Sequence, residues 1–319
     1  MAAKTRNILI FGATGLIGTH ITNAILSKAS SFSKIAIFTS SATVETKPKL
    51  IEHLKGRNVE IITGDTTSAG DVRKAYDGFD TIVSCVGRPV IHTQVLLIKL
   101  ADEHPDVKRF FPSEYGTDIE YGPASVNEKP HQQKLKVRAA LKDVKNLEYT
   151  YVVTGPYGDA DRGLFLSARP PETEAGGTFD VKRKRAVLLG DGNGKISLTT
   201  MRDVGKLVVA ALMHLEVTRN RALLVNSFTS TPKDIVAEFE KQTGTQWRVD
   251  YTSLEDLRKL EQEAWQKNDP LAGPLTLRRI WTEGGTLYNH RDNELIEMED
   301  GVDSLSSAVK QAIQAQEGR

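Results

Sequence analysis

The stretch KPHQQKLKVRAAL, residues 129–141, puts Lys134 where a helix spacing leads one to expect a leucine. At helical spacing Lys134 shares a face with Val137, Arg138 and Leu141, and His131 lies one turn earlier on the same side. Apolar neighbours and a cation one turn away both disfavour an ammonium ion. A lysine so placed titrates below its solution value and can exchange protons near neutral pH. Spacing alone favours the plainer reading, a solvated lysine in a basic helix that also holds Lys129, Lys136 and Lys142. Other chemistries lack their residues. None of Tyr76, Tyr115, Tyr121, Tyr149, Tyr151 and Tyr157 has a lysine four positions on, so the tyrosine–lysine pair of short-chain reductases is missing. No HExxH or GxSxG occurs, the seven histidines are scattered, and no metal site is expected. Cys85, the only cysteine, excludes an intrachain disulfide and a cysteine-built zinc site, and it closes a buried strand as an inert thiol.

A second group of residues binds rather than reacts. The strand NILIF is followed at once by Gly12, Gly15 and Gly18 in GATGLIG, with Thr14, Leu16 and Ile17 between them, and then by a helical pattern. Glycines at this place allow a tight turn and let the backbone approach a pyrophosphate on a helix N-terminus, which points to a dinucleotide. An acid about 20 residues further on would hold the ribose of NAD. Here that place reads Thr39, Ser40, Ser41, followed by Lys47 and Lys49, so NADPH is expected.

The elements that must position these groups alternate. Strands are expected at 7–11, 34–39, 59–63, 81–85, 108–112 and 147–153, with helices near 16–29, 47–56, 69–77, 90–104 and 129–145. This is the pattern of an α/β fold, a Rossmann-type doubly wound parallel sheet. Its carboxyl edge would receive Val86 and Gly87 after the fourth strand and Pro112, Ser113 and Glu114 after the fifth, all placed to meet the cofactor. Tyr115, Tyr121, His131, Thr154 and Tyr157 could form a substrate pocket beside them, although tyrosines near turns serve packing as often. Arg88 and His92 are as readily surface as contact. After Val153 a Gly-, Pro- and acid-rich segment marks a crossing from a cofactor domain, 1–155, into a smaller α/β lobe, 156–319, parts of which can return to the first sheet. That lobe is expected to hold a hairpin in KRKRAVLLGDGNGKISL, a helix near 201–216 and a strand RALLVN.

Composition narrows the partners. A net charge of +1 creates no field to draw the chain onto nucleic acid or an anionic membrane, and VKRKR at 181–185 reads as an exposed hairpin arm. No apolar run is long enough to span a bilayer and the N-terminus runs straight into a strand, so a cytoplasmic monomer or homodimer acting on a small molecule is expected.

The stretches GATGLIG, KRFFPSEYG and KLKVRAAL, then YTYVVTGPYG and LGDGNGK, resemble the isoflavone reductase and phenylcoumaran benzylic ether reductase family, within the broader NmrA-like group. The resemblance runs in order along most of the chain and is densest in the first 160 residues. It implies an NADPH-dependent reductase of aromatic or conjugated compounds, of the kind found in secondary metabolism. By the same resemblance Lys134 is the proton-transfer residue, Arg138 a cofactor or site contact, Gly12 to Gly18 the pyrophosphate loop, and Lys47 a grip on the 2′-phosphate. Thr39 stands where these reductases usually have arginine, so that grip must be rebuilt from Ser40, Ser41 and Lys47. The NmrA-like group also contains regulators that sense NADP without consuming it, and this second reading stays open.

Overall fold

The computed structural model describes residues 7–161 and 163–318. NILIF forms β1 (Asn7–Phe11), in which Ile8, Leu9, Ile10 and Phe11 are all buried because both faces of the strand are covered. It is followed by α1 (Leu16–Ser27), β2 (Lys34–Thr39), α2 (Ser41–Thr46), α3 (Pro48–Gly56) and β3 (Glu60–Thr63). The chain then continues through α4 (Ala69–Tyr76), β4 (Thr81–Ser84), α5 (Gln94–Glu103), β5 (Arg109–Phe111), α6 (Gln132–Lys142) and β6 (Glu148–Val153). These strands pair in parallel, in the doubly wound arrangement expected from their alternation with helices. The short helix α2 was not expected; the Ser40 hydroxyl starts it by accepting from the Thr43 N–H.

Beyond 156 come β7 (Thr178–Asp180), β8 (Arg185–Leu189), β9 (Ile196–Leu198), α7 (Met201–Met213), α8 (Leu215–Thr218) and β10 (Arg221–Leu224). The last elements are β11 (Phe228–Ser230), α9 (Pro232–Thr243), β12 (Arg248–Thr252), α10 (Leu254–Gln266), α11 (Ala272–Thr282) and α12 (Leu305–Glu317). The expected hairpin does not form. Strand β8 already has β7 on one edge and β12 on the other, so β9 cannot fold back on it. Gly190 and Gly192, at φ +65° and +74°, swing β9 away to pair with β11.

Two later elements rejoin the first sheet. Strand β10 pairs in parallel with β6 and completes a seven-stranded sheet of order β10-β6-β5-β4-β1-β2-β3. Helix α7 lies on α1, and Gly205 makes this possible: a Cβ there would sit 2.6 Å from the His20 carbonyl oxygen. One apolar core fills the α1 and α7 side of the sheet and a second fills the α4 and α5 side. A third lies in the lobe around Phe179, Phe239 and Trp247. The direction of strand order reverses between β1 and β4, which opens a crevice at their carboxyl ends. Among the described residues no helix is long and apolar enough to cross a membrane.

Candidate active site

The glycine loop sits at that crevice. Gly12 has φ +72°, and a Cβ on it would lie 2.6 Å from the Cys85 carbonyl oxygen at the end of β4. A Cβ on Gly18 would lie 2.0 Å from the Gly12 carbonyl oxygen, so α1 can approach β1 only because this residue is glycine. Helix α1 begins after Gly15 with no side-chain cap and no acidic residue in its first turn. Its N-terminal N–H groups and positive dipole end therefore suit an anion, and the loop fits a pyrophosphate. Lys47 reaches back across the loop, its Nζ donating to the Thr14 carbonyl at 2.8 Å. That contact places a positive charge at the glycine loop, while Ser40 and Ser41 follow β2 as exposed residues. The Ser40 hydroxyl is engaged in capping α2.

Lys134 is on the first turn of α6, half-buried, with Nζ donating to the main-chain carbonyl of Glu114 at 2.8 Å. Burial is the main cause that lowers its pKa, to about 8; Arg88 and Arg138 add to the lowering and Glu114 opposes it. The other half of Glu114 does a different task. Its carboxylate takes a bidentate pair of hydrogen bonds from Arg138 Nε and Nη2, each 3.1 Å, inside the core. Arg138 also bonds Asp118 and Glu120 through Nη1, and its guanidinium lies 4.7 Å from the Tyr151 ring centre. Its charged hydrogens are thus engaged behind Lys134, where the resemblance implied a cofactor or site contact. Arg138 braces the loop that holds the lysine.

A cavity of about 490 Å³ opens where these elements meet. One wall is built by Gly15, Leu16 and Ile17, by Val86, Gly87 and Arg88 after β4, and by Ser113 after β5. Ser113 is fixed there because its hydroxyl donates to the Val86 carbonyl and its N–H to the Gln94 side chain. Lys134 and His131 form the floor with Tyr115 and Tyr157. Tyr157 donates to the Tyr115 carbonyl at 2.7 Å, while burial pushes both phenols well above their ordinary pKa, so neither is a base at neutral pH. His131 Nδ1 lies 3.2 Å from the Ser125 carbonyl, which can only accept. The proton is therefore on Nδ1, and Nε2 is left as a buried acceptor without a partner. Burial lowers the pKa of this ring.

The opposite wall comes from the lobe: Leu164 and Phe165, then Pro274, Leu277, Arg278 and Trp281 on α11. None of these stood out in the sequence, since they lie far from Lys134 along the chain; the one local signal was the pair Arg278–Arg279 within an amphipathic pattern.

Of the residues singled out from the sequence, Gly15, Leu16, Ile17, Val86, Gly87 and Ser113 face this one space, as do Tyr115, His131, Lys134 and Tyr157. Gly12, Gly18 and Thr14 shape the loop from beneath. Pro112, Glu114 and Arg138 lie behind the wall rather than on it. Thr154 is fully buried, its carbonyl accepting from Thr199, and stands outside the lining. Tyr121 proves to be a packing residue: its hydroxyl donates to Glu128 and its ring meets His131 edge-on. Cys85 lines the cavity as a buried thiol whose pKa is pushed up by burial, which keeps it unreactive.

Comparison with known proteins identifies the family and the fold. The model of the NmrA-like family matches residues 4–272. The oxidoreductase aprR of Aspergillus flavus is 31% identical across 91% of this chain and 92% of its own. The isoflavone reductase of Pisum sativum is 32% identical across 81% of this chain and 82% of its own. Among solved structures, the leucoanthocyanidin reductase–NADPH complex from Vitis vinifera superposes with a TM-score of 0.79 at 20% identity, over 97% of this chain and 99% of that one, a likeness of fold. Since the family model spans most of the sequence and the pea enzyme aligns along about four fifths of it, the chain belongs to the NmrA-like family, in the company of the isoflavone reductases.

Proposed function

We propose that the protein is an NADPH-dependent reductase of aromatic or conjugated small molecules, with Lys134 as the residue that transfers the proton. The observation that carries this reading is a half-buried lysine, titrating near neutral pH, that shares one cavity with the N-terminus of α1. When bound, the nicotinamide supplies a hydride to an electron-poor carbon of the substrate. The chain's own residues supply the rest. Gly12, Gly15 and Gly18 let the pyrophosphate reach the α1 N-terminus, and Lys47 offers charge to the 2′-phosphate. Leu277, Phe165 and Trp281 form a face against which an aromatic ring can lie, screened from water. The Lys134 ammonium, steered by the Glu114 carbonyl, gives its proton to the atom of the substrate on which negative charge develops. His131 Nε2, an unpartnered acceptor, is placed to orient a hydroxyl of the substrate.

The test is NADPH consumption by the wild type and by Lys134→Ala against phenolic enones, quinones, imines and benzylic ethers. Turnover of one class by the wild type should fall at least about a thousandfold in the variant, within the range of lost acid–base catalysis, while NADPH affinity stays within about threefold. Retained turnover in the variant would remove Lys134 from the mechanism. Tight NADPH binding with no consumption on any class would favour a sensor of the NADP state instead.

A further inference from the structure

The two walls of the cavity differ from the rest of the molecule in charge. Overall the chain is nearly neutral, with 42 basic and 41 acidic residues. The cavity lining contains Arg88, Lys134 and Arg278, and among the described residues it contains no aspartate or glutamate. Arg88 and Lys134 stand on the cofactor side. Arg278 stands across from them, on α11, where neither the glycine loop nor Lys47 gives it a task.

Arg278 is also unlike the other buried arginine near the site. Arg138 is matched by three carboxylates, whereas Arg278, 3% exposed, has no acidic partner among the described residues. Its guanidinium makes one hydrogen bond, from Nη2 to the Leu164 carbonyl at 3.1 Å. The group is held still all the same. Its carbon lies 5.7 Å from the Phe165 ring centre, and Nη1 presses on Gly177, where a Cβ would come within 2.7 Å of it. Behind it lies a second buried arginine, Arg169, 7% exposed, whose Nε has no hydrogen-bond partner and which likewise has no acid beside it. Burial, first, and the charge of Arg169, second, disfavour the Arg278 cation. A buried guanidinium without an anion is costly, and a second one beside it adds to the cost. A planar fork of N–H donors matches the paired oxygens of a carboxylate, which an aromatic or conjugated ligand can carry.

We propose that Arg278 is the anchor for a carboxylate of the substrate, so that the ligand is an aromatic or conjugated acid whose anionic end lies on α11 and whose reducible end faces Lys134. The inference rests on the reading of this cavity as the substrate site. Arg169 does not touch the cavity; it raises the positive potential behind the anchor.

The experiment compares acids with their primary amides, which match them in shape and lack the charge: cinnamate with cinnamamide, 3-phenylpropionate with 3-phenylpropionamide, indole-3-acetate with indole-3-acetamide. Binding is followed at neutral pH by calorimetry and by tryptophan fluorescence, to which Trp281 in the cavity wall contributes, with and without NADPH, for wild type, Arg278→Met, Arg278→Gln and Lys134→Met. At least one acid should bind the wild type about ten- to a hundredfold more tightly than its amide, the strength of hydrogen bonds to a charged group. Both Arg278 variants should lose that preference while keeping affinity for the amide and for NADPH, and Lys134→Met should keep the preference. Thermal unfolding guards against misfolding: removing an unpaired buried charge should leave the melting temperature of Arg278→Met equal to or above that of the wild type. No acid preference on any pair, or a preference that survives in both Arg278 variants, overturns the proposal. So does a preference lost only in Lys134→Met, because the anion would then lie on the cofactor side. Failure of the wild type to bind NADPH would count against the reductase reading, and the acid preference of the cofactor-free protein would still decide the anchor.

Discussion

Glu114 serves two cations with two different groups. Its carbonyl takes Lys134 and its carboxylate takes Arg138, so the lysine is held without being locked into a charge pair. A carboxylate bonded directly to Nζ would have stabilised the ammonium and raised its pKa. The observed arrangement leaves burial as the leading cause, and the value settles at about 8. The sign of the resulting pH dependence follows. In the proposed role of donor Lys134 must be protonated, so kcat/KM for reduction should be level below about pH 8 and fall about tenfold per unit above it. A profile that rises up to about pH 8 and is level above it would mean the deprotonated amine is the working form.

At the scale of the element, the glycine loop is governed by contact with rigid backbone. The Cβ of an alanine at position 18 would collide with the Gly12 carbonyl at 2.0 Å, so α1 would have to lift from β1. Gly18→Ala should cost about 2 kcal/mol or more in stability, the scale of core overpacking, and weaken NADPH binding at least about tenfold. Gly56, at the end of α3, is the contrast: a Cβ there meets nothing within 4 Å. Gly56→Ala should be neutral or stabilise by about 0.5 kcal/mol. Chemical denaturation and NADPH titration of the two variants separate the effects.

These loop features were legible in the sequence because they are local. A buried strand, a tight turn and a helix start lie within a dozen residues at 7–18, and each has its own residue chemistry. The face shared by Lys134, Val137 and Leu141 was equally local. What escaped was set by long-range pairing. The stretch from Arg185 to Leu198 has the turn residues of a hairpin, but the free edge it needs is taken by β12, some 60 residues away. Arg278 shares the cavity with Lys134 across more than 140 residues of chain, a distance that no spacing rule can bridge. Arg138 could be placed on the right face, yet its three acids lie in the irregular segment between β5 and α6, where no periodicity shows which way a carboxylate turns.

At the scale of the molecule, the two halves of the sequence are interleaved. Helix α7 covers α1, and Val204, Leu207, Val208 and Ala211 belong to the same core as Ile8, Ile10 and Ile21. Strand β10 covers the outer edge of β6. A fragment ending at residue 155 would therefore expose that core face and an unpaired strand edge. Expressed alone, it should aggregate or bind hydrophobic dyes, and the full chain should unfold in one transition when followed by tryptophan fluorescence and circular dichroism. Two separated transitions would show that the lobe is independently stable.

The wall that the lobe gives to the cavity also has a consequence for diversification. Most of its side chains come from one helix, α11, packed at its other side against α10 and away from the glycine loop. Rewriting Pro274, Leu277, Arg278 and Trp281 would change the shape and charge of this wall and leave the glycine loop as it is. A new specificity could thus arise within the eleven contiguous codons of α11, by drift or in a focused library, with the glycine loop and Lys134 inherited unchanged.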